Sequence, residues 1–452
     1  MRKVYRKNKY GASTIFIAII MSALILVECT YLTFVWDLDR RLEISRGLKY
    51  QVEAILADYD RELFNTYGIY AFCIDELDDS VFNAVLNDHG LTEGQCIEVD
   101  GVEVLDTDSL RRAIASYYSY RAAGIAIRSM FEQVSGIIDK IDEKGVIAKI
   151  KSFTSSGASS YLSDILSNSV DIEGKLDELS EDIDVEQLRN SIPMIQRIID
   201  LINDNQDDVT EIDPGIRLTD LTFLIEGYTL LEGLIDDGSQ FAAGRTDHLL
   251  IAHYAAYNFD CAVDNENDRS IIGTKFSSIH GENYFDSEYI MTGFDGRPGA
   301  VSVSILIFEI LFCKYFISEY SEPGKALAYE TAAILLSTLI ALLSDGTVDI
   351  PTQVMEFVLI AIVSACESFS DLKSCLEGNA IPMYEEDGME LIMLKYRDFL
   401  FLYLFCVADN FLLERMINVL TRDFGEMYTG ICLVTEYRGT SYDVTKRYAL
   451  YG

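Results

Sequence analysis

The stretch Ser13 to Trp36, STIFIAIIMSALILVECTYLTFVW, decides how the rest of the chain is read. It follows Arg2, Lys3, Arg6, Lys7 and Lys9, and no charge occurs between Tyr10 and Val27. At 1.5 Å per residue, a helix from Ser13 to Trp36 is about 36 Å long, enough to cross a hydrocarbon core of about 30 Å. The reading is a membrane anchor carried by Ile15, Phe16, Ile19, Ile20, Leu24 and Leu26, with Trp36 at the interface and Glu28 as an acid near the outer end. A cleaved signal peptide is the competing reading, but the apolar run is long for one and no small-residue cleavage site follows it. Basic residues resist translocation, so the expected orientation has the N-terminus in the cytoplasm.

Beyond Trp36 the apolar pattern continues. Leu38, Leu42, Leu48, Val52, Ile55, Leu56, Tyr59 and Leu63 recur at mostly helical steps, and Gly68 suits a helix C-cap. A continuous stalk helix over residues 37–67 is expected. Ile69 to Ile74 has strand composition, and Cys96 to Leu105 alternates around Asp100-Gly101 like a short hairpin.

The expected organisation is a basic tail (1–10), a transmembrane helix (11–36), the stalk, short strands (68–108), a helical insert (109–247), the helical core of a head domain (248–427) and a C-terminal β-hairpin (428–452). Within the insert, SFTSSGASS at Ser152 to Ser160 reads as a loop or hinge. Leu176 to Ile202 reads as an acidic, coiled-coil-like arm. In the head, apolar helices are expected at Val301 to Ile317, Ala326 to Leu343, Val354 to Cys366 and Asp398 to Leu420, and a strand at Glu282 to Gly293. Charges such as Glu309, Lys314, Glu330 and Glu356 limit the later uncharged runs, so these helices read as a soluble core rather than as membrane spans. Tyr/Val/Thr-rich runs on either side of Arg438-Gly439-Thr440-Ser441 give the closing hairpin. The fold class is α+β and predominantly helical: a long N-terminal transmembrane and stalk helix, then an extracellular helical domain with a small antiparallel sheet.

A net charge of -37 disfavours nucleic acid as a partner. The nine cysteines lack C-x-x-C spacing and read mostly as small buried hydrophobes. His248 and His253 are five apart and do not form a zinc pair, DNENDR at Asp264 does not close an EF-hand loop, and Glu385-Glu386-Asp387 reads as a solvated loop. The sequence therefore offers no catalytic residue, cofactor-binding residue or metal ligand, and the reading is a non-enzyme without a cofactor.

Gly11 to Phe16 with the helix behind it, and QVEAILADYDRELFNTYGIYAF from Gln51 to Phe72, resemble the TadE/TadG-like pseudopilin family of Gram-positive bacteria, which accompanies tight-adherence (Tad, Flp, type IVb) pilus machinery. HLLIAHYAAYNF, SEYIMTGFDG, SILIFEILFCKYFIS, SACESFSDLKSCLEGNAIPMY, LKYRDFLFLYLF and LLERMINVL, between His248 and Leu420, are similar to later blocks of that family in order. The resemblance implies a membrane-anchored, extracellular structural or assembly component of a Tad pilus, with the membrane and other pilus or pseudopilin subunits as partners. It also implies prepilin-type processing between Gly11 and Ala12, from which the chain departs by having Phe16 where such substrates usually carry Glu. The alternative is a stand-alone surface adhesin with a cell-surface or host ligand. Both readings expect a single-pass cell-membrane protein with its bulk extracellular.

Overall fold

The computed structural model describes residues 10–73, 80–88, 98–119, 145–167, 169–178, 185–212, 216–219, 221–241, 246–263, 285–386 and 389–448. It is predominantly helical with a small antiparallel sheet, and it divides into two compact units, residues 1–113 with 421–452 and residues 114–420.

In the first unit, α1 (Tyr10–Ala57) is followed by α2 (Arg61–Tyr67), α3 (Ser80–Asp88), β1 (Glu98–Val104) and the start of α4 (Thr107–Ser119). The continuous stalk is not what forms. The helix stops at Ala57, and Asp60 begins a new one by accepting from the backbone N–H groups of Glu62 and Leu63 at 2.8 and 2.9 Å. Asp58-Tyr59-Asp60 thus supplies a stop and a cap in a stretch whose apolar spacing alone suggested continuity. Gly68 ends α2 at φ 69°, with its N–H on Phe64 O at 2.8 Å, the C-cap its position called for.

Nor is the second half of α1 a free stalk. Ile44, Leu48 and Val52 are buried with Phe72, Phe82, Leu86, Ile431 and Leu433. At Gly47 an added Cβ would lie 3.2 Å from the Phe82 ring, so the missing side chain lets α3 approach. Gln51, buried beside it, accepts from the Phe82 N–H at 2.8 Å.

The second unit holds α5 (Val146–Ser155), α6 (Ala158–Leu166), α7 (Ile172–Asp177), α8 (Val185–Arg189), α9 (Ile192–Ile212), α10 (Thr222–Phe241), α11 (Thr246–Tyr257), α12 (Asp286–Thr292), α13 (Arg297–Ser321), α14 (Pro323–Leu343), α15 (Thr352–Leu376), the hairpin β2 (Ile381–Glu386) and β3 (Met389–Leu394), α16 (Tyr396–Leu404) and most of α17 (Asp409–Phe424). Helix α15 is the central member, packed against α13, α14, α9 and α5. The acidic arm is corrected accordingly: Leu176, Leu188, Ile195, Ile198 and Ile199 are buried, and the apolar stripe taken for a coiled-coil seam faces α14 and α15. The Ser-rich break is a tight turn at Ser156 and Gly157 between α5 and α6. The expected strand from Glu282 is helix α12 over its described part, because Asp286 and Glu288 sit in a helical first turn and Gly293 closes it at φ 79°. The expected helix from Asp398 to Leu420 is broken into α16 and α17.

The chain ends in the first unit with β4 (Tyr428–Tyr437) and β5 (Thr440–Arg447) in the sheet order β1-β4-β5. The closing hairpin forms as expected. Arg438 and Gly439 both have positive φ, 50° and 75°, the two-residue turn whose twist matches that of the flanking strands. The hairpin expected at Cys96 does not form. β1 runs straight through Asp100-Gly101 with an irregular register between Val99 and Gly101, so this glycine serves a bulge rather than a turn. Cys96 itself lies outside the described residues. Of Ile69 to Ile74, Phe72 makes one antiparallel bridge, to Tyr428, and Ile74 lies outside the described residues.

The single crossing with the bulk outside is overturned. Among the described residues, four helices are long and apolar enough to cross a membrane: Ser13–Ala57, Arg297–Ser321, Gly324–Leu343 and Thr352–Leu376. Of the charges that made the later runs look short, Glu309 is taken into the core and Lys314 and Glu356 are half-buried, while Glu330 is exposed. Glu309 is fully buried, Lys314 pairs with Asp371 at 3.4 Å, and Lys325 pairs with Glu319 at 2.6 Å. The most apolar windows of α13, α14 and α15 are 61, 39 and 72% buried, so α14 turns the largest apolar share outward. By length and composition the chain is suited to several crossings.

Candidate functional site: an exposed apolar helix and buried polar clusters

No residue in the most apolar stretch of α1 is buried. Ile15, Phe16, Ile19, Ile20, Leu24, Leu26 and Trp36 are all exposed, as is Glu28. Gly11 and Ala12 stand in the first turn of the helix. Covering this many large apolar side chains is worth on the order of 20 kcal/mol or more. Such a surface requires lipid or the helices of partners. The polar groups within it are already satisfied along the helix: Ser22 Oγ donates to Ala18 O, Thr30 Oγ1 to Leu26 O and Thr33 Oγ1 to Cys29 O, each at 2.7 Å. Hydroxyls bonded in this way need nothing from solvent, which suits them to hydrocarbon.

The character changes immediately past Trp36. Asp37 accepts from Arg41 at 2.8 Å and from Arg438 in the β4–β5 turn at 3.0 Å, and Lys446 on β5 pairs with Glu53. Ion pairs therefore tie the hairpin to α1 at two levels, at Asp37 directly after Trp36 and at Glu53 about 24 Å further along the helix.

The second unit contains two buried polar clusters that the sequence reading missed. His248 on α11 bonds through Nδ1 to Asp409, the first residue of α17, and through Nε2 to Phe405 O at 2.6 Å, just past the end of α16. These contacts span the break between the two helices. Nearby, His253 Nδ1 is 2.7 Å from the Tyr118 hydroxyl and its ring stacks on Tyr257; burial lowers its pKa to about 4. Sequence reasoning placed both imidazoles as packed or surface groups, and the structure packs both.

The other cluster joins α11, α12 and α16. Arg397 donates to Ala256 O and Phe259 O at 2.7 and 3.0 Å, closing the C-terminal end of α11, and Ser287 Oγ donates to Ala255 O at 2.9 Å. Glu288 Oε1 accepts from the Ala262 N–H and the Tyr396 hydroxyl, both at 2.8 Å, while burial raises its pKa to about 7. Glu288 is in the protonation range of an acid–base group, but it is fully buried and its partners are structural. The cluster is thus a latch between helices. Its members are far apart in the sequence, so no local spacing announces it.

Among the described residues no group of three or more His, Cys, Asp and Glu side chains could hold a metal ion. Cys261, Cys313, Cys366, Cys375 and Cys406 are buried thiols, as small hydrophobes would be, while Cys29 and Cys73 are exposed and Cys432 is half-buried. His89, His280 and the loop at Asp264 lie outside the described residues. Comparison with family models, curated proteins and solved structures finds no match.

Proposed function

We propose that the protein is a membrane-anchored, pseudopilin-like structural or assembly component of a Tad (Flp, type IVb) pilus system. The observation that carries this reading is the division of labour along α1, whose first half is wholly exposed and apolar while its second half is built into the core of a folded unit. A helix of this kind couples a folded unit rigidly to whatever surrounds its apolar end. The sequence resemblance from Lys9 to Phe72 and from His248 to Leu420 supplies the pilus context. In this account Ser13 to Trp36 lies in the bilayer and packs beside the helices of other pilus or pseudopilin subunits, with Glu28 near one interface, where an acid can reach headgroup or water.

The test is deletion of the gene in its native host, followed by counting surface fibres. Fibre loss is expected, with recovery on expressing the intact chain and weaker recovery on expressing a Leu24→Arg chain, whose α1 inserts less favourably by about 3 kcal/mol. Unchanged fibres in the deletion strain would contradict the proposal.

A further inference from the structure

Beyond the pilus reading, and resting on its placement of Ser13 to Trp36 in the bilayer, the first unit carries a second feature aimed at the membrane. The β4–β5 hairpin lies along α1. Its turn residue Arg438 donates to Asp37 at 3.0 Å, and Lys446 on β5 pairs with Glu53. From Asp37 to Glu53 the helix rises about 24 Å, and from Arg438 to Lys446 an extended strand covers about 26 Å. The two lengths agree, so hairpin and helix run side by side, and the turn is the end nearest the apolar half of α1.

The turn is held one residue past Trp36. That step is about 1.5 Å along the helix, while the polar layer on each side of a bilayer is about 5 to 7 Å deep. With Trp36 at the edge of the hydrocarbon, Arg438 falls inside the headgroup layer, and exposed Arg40 lies about 6 Å past Trp36 in the same layer.

Arg438 is also strained. Its φ is 50°, a left-handed conformation that costs a residue with a Cβ about 1 to 2 kcal/mol, in a turn position that favours Asn, Asp or Gly. The ion pair with Asp37 does not offset this. The Arg438 side chain is 57% exposed, Asp37 already accepts from Arg41 at 2.8 Å, and exposed pairs contribute about 0 to 1 kcal/mol. A guanidinium carries five donors, and Asp37 engages Nη1.

We propose that the β4–β5 turn is a second membrane contact, in which Arg438, with Arg40 about one turn along α1 from Asp37, donates to the phosphate groups of phospholipids and holds the first unit against the bilayer surface. The planar guanidinium fork matches phosphate oxygens and is the more strongly bonded in a layer poorer in water. Asp39 and Glu436 are exposed nearby, so the contact is a local hydrogen-bonded one and not an attraction of the acidic chain to an anionic surface.

Trp36 is the only tryptophan, so its fluorescence reads a single depth. The experiment reconstitutes the full chain in phosphatidylcholine vesicles that carry a quencher either as a nitroxide on the choline headgroup or as bromines in mid-chain. Trp36→Phe combined with Thr440→Trp moves the reporter to the turn, and Ser441→Trp, at an exposed position, replaces Thr440→Trp should that variant fail to fold. The reporter in the turn is expected to lose most of its fluorescence to the nitroxide and little to the bromines. Adding Arg438→Asn, which suits the positive φ and keeps the turn, should weaken the nitroxide quenching. Native Trp36 untouched by both quenchers would overturn the embedding of α1 and the contact with it. Quenching of Trp36 without quenching of the reporter in the turn overturns the contact alone, and quenching unchanged by Arg438→Asn overturns the role of that guanidinium.

Discussion

His248 bonds to Asp409 across a break in the helical chain, and its other ring nitrogen holds Phe405 O at 2.6 Å. A carbonyl oxygen can only accept, so Nε2 carries a proton, and the contact at Nδ1 requires a second proton shared with the carboxyl. The pair thereby fixes the end of α16 and the start of α17 to α11.

Replacing His248 by Ala leaves Asp409 buried without this partner. Breaking a buried pair from one side costs about 3 to 5 kcal/mol, and Asp409→Asn should cost less because an amide carries no charge to strand. Thermal unfolding of the two variants beside wild type measures the difference, and equal midpoints for His248→Ala and wild type would contradict the assignment.

Glu288 and His253 give opposite pH dependences. Glu288 has its pKa raised to about 7, so the folded state binds the extra proton and its contribution to stability is lost as pH rises from about 4.5 to 7. His253 has its pKa lowered to about 4, so the folded state refuses a proton and stability is lost as pH falls from about 6.5 to 4. Each effect is on the order of 3 kcal/mol, and they oppose one another over most of that window. Wild type should show little net slope from these two groups between pH 4.5 and 6.5. Glu288→Gln should become more stable relative to wild type as pH rises through this window, and His253→Gln less. Stability curves for the three proteins against pH check both signs.

Gly227→Ala places a methyl 2.2 Å from Glu309 Oε1 and 2.6 Å from Cδ, both well inside contact distance. Overpacking of this kind costs about 1 to 3 kcal/mol. Glu309→Ala removes the obstructing atoms, so the double variant should be more stable than the sum of the single effects predicts, and a double-mutant cycle by thermal unfolding reads the coupling. Strict additivity would place the two residues out of contact.

Leu24→Arg puts a charge in the exposed apolar half of α1. Insertion of that segment becomes about 3 kcal/mol less favourable. Alkaline extraction of membranes should leave the wild-type segment Ser13 to Trp36 protected from protease and the variant segment less protected, and cleavage of the wild-type segment would show that it is not embedded.

What the sequence disclosed follows from where each signal lies. The apolar half of α1, the Gly68 cap and the Arg438-Gly439 hairpin depend on residues close together, and they were legible. The break between α16 and α17 depends on a histidine 161 positions before Asp409, and the latch at Glu288 depends on Tyr396 108 positions later. Local periodicity carries no trace of either. Asp100-Gly101 misled because the dipeptide that favours a hairpin turn also suits a bulge, and β4 supplied a partner strand from the far end of the chain. Glu309 misled differently: as a charge it shortened an apolar run, yet the fold encloses it opposite a glycine.

What covers the first half of α1 decides whether the protein works as a pilus component. A photo-crosslinking side chain placed at Leu24 in the native host, followed by mass spectrometry of the adducts, tests this most directly. Crosslinks to the apolar helices of pilus or pseudopilin subunits are expected in the membrane fraction. Crosslinks to lipid alone, in cells that are assembling fibres, would contradict the pilus role.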